Sequence, residues 1–238
     1  MTTDFHCKYF AYELTRSRSP EDDERLTQSM LNAAIDLMPH QVDAALFALR
    51  SLDFRGAILA DEVGLGKTVE AGLVMGQLWA ERRRRLLCIV PASLRTQWAS
   101  ELRTKFGIPS VVLDSRSAAS LAPQDEDNAF AVAAEQGVVL CSYQFARTKR
   151  DEIAAVEWDL AILDEAHRVR NVFQKGPFVA VTAKAIRNAL KDRPKLLLTA
   201  TPLQNNLLEL FGLTSFIDPD IFGSLERSNK TVVAGWGR

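Results

Sequence analysis

The sequence predicts an α/β domain with a largely parallel sheet and helices on both faces. Six short runs rich in Leu, Ile and Val alternate with longer segments of helical periodicity, the order of a sheet whose strands are joined by helices. Right-handed crossovers distribute those helices over the two faces. Length agrees, since 238 residues suffice for one large domain with appendages and a full core, and not for two such domains.

The strands are expected at 56–60 (GAILA), 86–90 (LLCIV), 110–113 (SVVL), 137–141 (GVVLC), 159–163 (DLAIL) and 195–199 (KLLLT). Helices are expected at 68–82, 93–106 and 178–191. Ahead of them, residues 1–38 form an N-terminal appendage, in which the polar, Pro-containing stretch 17–23 caps a helix running towards Asp36. Residues 114–136, with Ser, Ala, Pro and the cluster Gln124-Asp125-Glu126-Asp127, read as a surface excursion with a short helix at its end. The main domain runs over 39–224. The tail, 225–238, has neither periodicity nor a strand-sized apolar block.

A chain that is 47% hydrophobic and 25% charged is neither disordered, collagenous nor membrane-embedded by composition. Lys plus Arg (29) nearly cancels Asp plus Glu (30), so any contact with nucleic acid must be local. Cys7, Cys88 and Cys141 are odd in number and far apart, which argues against a disulfide framework or a zinc site. Cys88 and Cys141 sit in apolar runs and read as buried thiols. No apolar segment follows a basic start, and no run approaches the ~18 apolar residues of a membrane span, so a cytoplasmic setting is expected.

Two motifs carry chemistry. In ILADEVGLGKTVEAGL an apolar strand enters a glycine-containing turn, and Lys-Thr opens a helix, the setting of a phosphate-binding loop. Gly64, Leu65 and Gly66 would turn backbone N–H groups onto phosphate oxygens, helped by the helix N-terminus. Lys67 would reach the β- and γ-phosphates of a nucleotide such as ATP, and the Thr68 hydroxyl would ligate Mg2+. The general pattern GxxxxGK[ST] has Gly where this chain has Asp61, and a glycine-rich turn with a surface Lys is the plainer alternative. The second motif, about a hundred residues on, is DLAIL followed by Asp164-Glu165-Ala166-His167. Adjacent carboxylates at the end of a buried strand are costly unless they serve a cation or a proton. Asp164 would hold Mg2+ and Glu165 would polarise the attacking water; the alternative is a solvated cluster at a helix start.

DEVGLGKT, DEAHRVRN and LLLTATPLQNN resemble, in order and spacing, motifs I, II and III of the SWI/SNF-like ATPases of helicase superfamily two. LCIVPASLRTQW is similar to their motif Ia, VVLCSYQF to Ib, and MPHQVDAALFAL to their adenine-recognition motif, although His40 departs from its commonest wording. FIDPDIFGS resembles the stretch after motif III. The resemblance covers about 39–224, and it accounts for Asp61, because this family's loop begins Asp-Glu. The wording DEVGLGKTVEAGL is closest to the prokaryotic branch related to RNA-polymerase-recycling ATPases. It implies a RecA-like P-loop NTPase lobe.

The resemblance also implies roles. Gln41 would read the N6/N7 edge of adenine bidentately, favouring ATP over GTP; a solvated helical Gln is the alternative. His167 would relay nucleotide state to Thr199, Thr201 and Gln204. Ser93, Arg95, Ser142 and Tyr143 would contact DNA phosphates without base readout, or else serve as caps and turn residues. The run Arg82-Arg83-Arg84-Arg85 reads as the cationic end of a helix, and Trp98, Phe211 and Phe216 as core. The function implied is ATP hydrolysis coupled to movement along double-stranded DNA by two lobes closing around ATP, the second donating arginines. Nothing after Ser224 supplies that lobe, so little turnover is expected from the chain alone. The alternatives are a non-catalytic module binding nucleotide, DNA or a partner, and an NTPase subunit of a restriction or phage-defence assembly, completed by a second RecA-like lobe or other subunit in trans.

Overall fold

The computed structural model describes residues 33–34, 37–61, 66–124, 127–169, 179–201 and 207–218. The helix expected to run towards Asp36 and the tail 225–238 lie outside them. Among the described residues six strands form one sheet: β1 (Gly56–Leu59), β2 (Leu86–Val90), β3 (Ser110–Leu113), β4 (Val138–Ser142), β5 (Leu160–Leu163) and β6 (Lys195–Leu198). All pairings are parallel, in the order β1-β6-β5-β2-β4-β3. Every expected strand is present, with ends displaced by at most one residue.

The strand interiors are apolar because helices cover both faces of the sheet, and the polar residues Ser110, Ser142 and Lys195 stand at strand ends. In β2 all five residues are buried, Leu87 and Ile89 in one core cluster and Leu86, Cys88 and Val90 in the other, as the two-residue period of a strand requires. The second cluster is closed by α1 (Pro39–Ser51), α2 (Lys67–Ala80) and α3 (Arg95–Phe106). The first is closed by α4 (Ser115–Leu121), α5 (Ala129–Gln136), α6 (Tyr143–Thr148), α7 (Arg150–Ala154), α8 (Val179–Ala189) and α9 (Leu207–Ile217). Cys88, Cys141, Trp98, Phe211 and Phe216 are buried, as expected.

Two expectations need correction. Residues 114–136 are not a surface excursion: they contain α4 and α5, and Phe130 is fully buried, stacked on Phe145 (5.9 Å) and edge-on to Trp158 (6.4 Å). Both helices have caps that the composition disguised as loop. Asp114 accepts from the backbone N–H groups of Arg116 and Ser117, and Asn128 from those of Phe130 and Ala131. The arginine run also lies beyond its helix, because α2 stops at Ala80 and the chain turns through Arg82 at φ 64°. Arg83 faces Asp159 (3.9 Å), Arg84 lies 5.0 Å over the Trp79 ring, and Arg85 faces Glu157 (4.0 Å). Exposed contacts of this kind contribute little stability.

Candidate functional site

The strand order brings three chain segments to one end of the sheet. β1 runs into the loop that leads to α2, β5 ends at Asp164 and β6 ends at Thr199, and these strands are neighbours. Backbone bonds align their ends: Thr199 N–H donates to Leu59 O (3.0 Å), and Asp164 N–H donates to Ile89 O of β2 (2.9 Å). The carboxyl ends of strands, where connections diverge, are where α/β sheets bind ligands.

Gly64 and Leu65 lie outside the described residues. The end of their loop is described: Gly66, at φ 93°, is the N-cap of α2, and Lys67 is the helix's first residue. Lys67 Nζ donates to Asp61 O (2.7 Å), bridging the loop from its last residue to its first. The Lys67 charge also acts on Asp164, so the two lie within electrostatic reach. Thr68 follows at the helix start. Gln41, buried on α1, packs directly on Gly66, where a Cβ would meet Gln41 Nε2 at 2.4 Å. Glycine suits the position because the backbone is left-handed, and any side chain would also have to displace the Gln41 amide. Gln41 Oε1 accepts from Met38 N–H (3.2 Å).

Asp164 is buried, and burial pushes its carboxyl above the usual range, while hydrogen bonds from Trp98 and Glu165 N–H oppose the shift. Trp98 Nε1–H donates to Oδ2 (2.9 Å), and Glu165 N–H donates to Oδ1 (2.8 Å). Glu165 is left-handed, at φ 52°, a conformation that costs a non-glycine residue on the order of 1–2 kcal/mol. It turns the chain sharply after β5 into the 3₁₀ turn Ala166–Val169, where His167 Nδ1 lies 3.1 Å from Glu165 Oε2. Thr199 is buried and its hydroxyl accepts from Thr201 N–H (3.2 Å). Among the described residues no hydrogen bond joins His167 to Thr199 or Thr201, and Gln204 lies outside them.

The four residues expected to face DNA separate into two pairs. Ser93 is exposed, and Arg95 is half-buried, with Nε donating to Ala92 O (3.2 Å) and a guanidinium nitrogen 3.9 Å from Asp114 Oδ2. Ser142 is buried and caps α6, accepting from Phe145 N–H (3.2 Å), which is the cap role left open by its sequence position. Tyr143 does not fit a phosphate contact: it is buried, and its hydroxyl donates to Asp164 O (2.6 Å).

One residue of the site had no role in the sequence reading. Glu70, on α2 three residues after Lys67, is fully buried and lies close to Asp61. Burial first, then the neighbouring Asp61 charge, lifts its carboxyl from 4.5 to about 7, with Lys67 opposing. Because the folded-state value is raised, ionising Glu70 costs more in the native state than in the unfolded chain. Stability is therefore lost as pH rises from about 4.5 to about 7, by roughly 2–4 kcal/mol. Glu70→Gln removes the titration, so the stability difference between variant and wild type should move in the variant's favour by about that amount between pH 4 and pH 8. Urea unfolding of both proteins at the two pH values checks this; a difference that stays constant would refute it.

The SNF2-related domain model matches residues 14–233. The chain is 34% identical over 215 residues to the uncharacterized ATP-dependent helicase YqhH of Bacillus subtilis, covering 89% of this chain and 35% of that protein. It is also 34% identical over 219 residues to the RNA polymerase-associated protein RapA of Erwinia tasmaniensis, covering 90% of this chain and 22% of RapA. The chain thus spans well under half the length of these relatives. The Sulfolobus solfataricus SWI2/SNF2 ATPase core, solved in complex with dsDNA, shares the fold with a TM-score of 0.68 at 22% identity, over 87% of this chain and 42% of that one. With a match extending over most of its length, on a parallel sheet that gathers the ends of β1, β5 and β6, the chain belongs to the SNF2-related domain family.

Proposed function

We propose that this chain is the ATP-binding lobe of a DNA-dependent ATPase that moves along double-stranded DNA. The observation that carries the proposal is that Lys67, at the start of the helix after β1, and the buried Asp164, directly after β5, stand at the same end of one parallel sheet. A buried carboxylate beside a loop-bridging lysine suits a ligand that is both anionic and metal-bound. Thr68 and Asp164 offer only oxygen donors, which match the preference of magnesium, and these two residues would hold it. Bound magnesium would neutralise charge on the β- and γ-phosphates. Lys67 would exchange Asp61 O for phosphate oxygens, and Glu165 would take up the proton of the attacking water, with His167 beside it. His167, Thr199, Thr201 and Gln204 are proposed to relay nucleotide state.

The DNA side of the proposal rests on Ser93 and Arg95, an exposed hydroxyl and a guanidinium after the carboxyl end of β2, chemistry that suits phosphate contact. Turnover is proposed to need cations from a second lobe across the cleft. A cytoplasmic setting is part of the same proposal: Cys88 and Cys141 are free, and among the described residues no helix is long and apolar enough to cross a membrane.

Nucleotide selectivity tests the assignment of the cleft. Gln41 touches Gly66, so its amide adjoins the loop that would hold the phosphates. Gln41→Ala should weaken ATP binding about tenfold, near 1.4 kcal/mol, and leave GTP binding within twofold. Competition titrations with the two nucleotides measure this. Equal losses for both would remove the adenine role and leave Gln41 as packing for the loop.

A further inference from the structure

We propose that Trp98 and Tyr143 are positioning residues for the Asp164-Glu165 turn, gripping it from opposite faces of the sheet so that the Asp164 carboxylate keeps a fixed orientation towards the metal. The inference rests on the proposed reading of Asp164 as a magnesium ligand, and the experiment below separates the two.

The geometry is unusual for core aromatics. Trp98 belongs to the core cluster under α1, α2 and α3, and Tyr143 to the cluster on the other face. β2 lies between β5 and β4, so α3, which follows β2, carries its indole to Asp164 from one side. α6, which follows β4, carries the Tyr143 phenol to the same residue from the other. The three residues are far apart in sequence and all buried. They meet at a single residue, the last before the chain turns.

Each bond fixes a different degree of freedom. The indole N–H takes one site on Asp164 Oδ2, and Glu165 N–H takes one on Oδ1. A carboxylate has about four lone-pair sites, so each oxygen keeps one that is not committed, and the two bonds together set the plane of the group. The Tyr143 hydroxyl bonds to Asp164 O, which belongs to the same peptide unit as Glu165 N–H. That peptide is therefore held at both ends. Its next residue, Glu165, is the left-handed one, a conformation that persists only where its surroundings over-determine it.

A structural role alone would not call for this arrangement. A buried Trp needs one acceptor for its N–H, and a backbone carbonyl would satisfy it without burying a charge. Asp164 instead carries a desolvation penalty. Partners of metal-binding carboxylates typically change metal affinity 10- to 100-fold when lost. The Trp98 bond has the form of such a partner.

The experiment compares ATP affinity at saturating Mg2+ with ATP affinity in EDTA, for the 238-residue chain and three variants, with thermal unfolding as a check on folding. Trp98→Phe keeps an aromatic ring and removes the N–H; it should cut the metal-dependent gain in affinity about tenfold, leaving the EDTA value within twofold. Tyr143→Phe removes one oxygen atom and should cut the gain about threefold, and it decides the matter if Trp98→Phe fails to fold. In the unmodified chain, the Trp98 indole N–H resonance should shift when Mg2+ is added with ATP. A gain that is unchanged in the folded variants overturns the proposal. So does an equal loss with and without metal, which is the signature of packing alone. If Asp164→Ala leaves the wild-type gain intact, the metal-ligand reading itself fails and takes this inference with it.

Discussion

ATP turnover should rise about 10³-fold or more when the 238-residue chain is mixed with a separately produced second RecA-like lobe of a longer relative, and it should then depend on duplex DNA. All the proposed nucleotide contacts described here belong to one lobe, and the charge developing on the γ-phosphate calls for cations facing them. An arginine supplied across such a cleft contributes roughly 10³ to 10⁵ in rate, or about 4–7 kcal/mol of barrier. In the proposed two-lobe scheme DNA would accelerate turnover by favouring closure, so it should stimulate the chain alone very little. Glu165→Gln should remove the reconstituted turnover by about 10²- to 10⁴-fold, the usual worth of a general base, while ATP still binds. Phosphate release against DNA concentration at saturating ATP is the measurement. Robust DNA-stimulated turnover by the chain alone, abolished by Glu165→Gln and independent of protein concentration, would overturn the two-lobe requirement.

Lys67→Ala should lower ATP affinity by about 100-fold, near 2.7 kcal/mol. The Lys67 ammonium group donates to Asp61 O (2.7 Å), a neutral acceptor that it would exchange for phosphate oxygens in the proposed complex. Phosphate oxygens carry negative charge that the neutral carbonyl lacks, so the exchange adds attraction between opposite charges and favours the bound state. The remaining face of α2 is anchored by Ala71, Leu73, Val74, Met75 and Leu78, all fully buried, so the variant should fold normally. Calorimetric titration with ATP and magnesium, paired with a thermal melt, measures both effects. Undiminished affinity would remove the phosphate-loop assignment.

Much of this was legible in the sequence, for reasons that differ by element. The strands were legible because a parallel sheet covered on both faces demands unbroken apolar runs, and β2, β4, β5 and β6 are buried at every position. The short helix expected at the end of 114–136 is α5, whereas α4 and the burial of the segment were hidden because alanine-rich, polar-capped segments resemble loops until Phe130 is seen in the core. At the site, Lys67, Thr68, Asp164 and Glu165 announce themselves by residue type and neighbours along the chain. Trp98, Tyr143 and Glu70 do not, since their significance depends on partners set by the strand order. Trp98 lies 66 residues from Asp164, and a helical apolar stripe accounts for it equally well until its N–H is traced. A buried Trp always needs an acceptor, and that requirement was the available signal. Tyr143 was misassigned for the related reason that a strand-end position says nothing about which way a side chain turns.

The central claim is that Thr68 and Asp164 converge on one metal ion that also touches ATP. Mn2+ replaces magnesium in oxygen-donor sites and is paramagnetic, so pulsed electron paramagnetic resonance of the chain with Mn2+ and ATP tests the claim directly. The account predicts a protein-bound Mn2+ signal with coupling to ATP phosphorus, weakened by Thr68→Ala and lost from the protein in Asp164→Ala, with both variants folded. Phosphorus-coupled, protein-bound Mn2+ that persists unchanged in Asp164→Ala would place the metal elsewhere and contradict it.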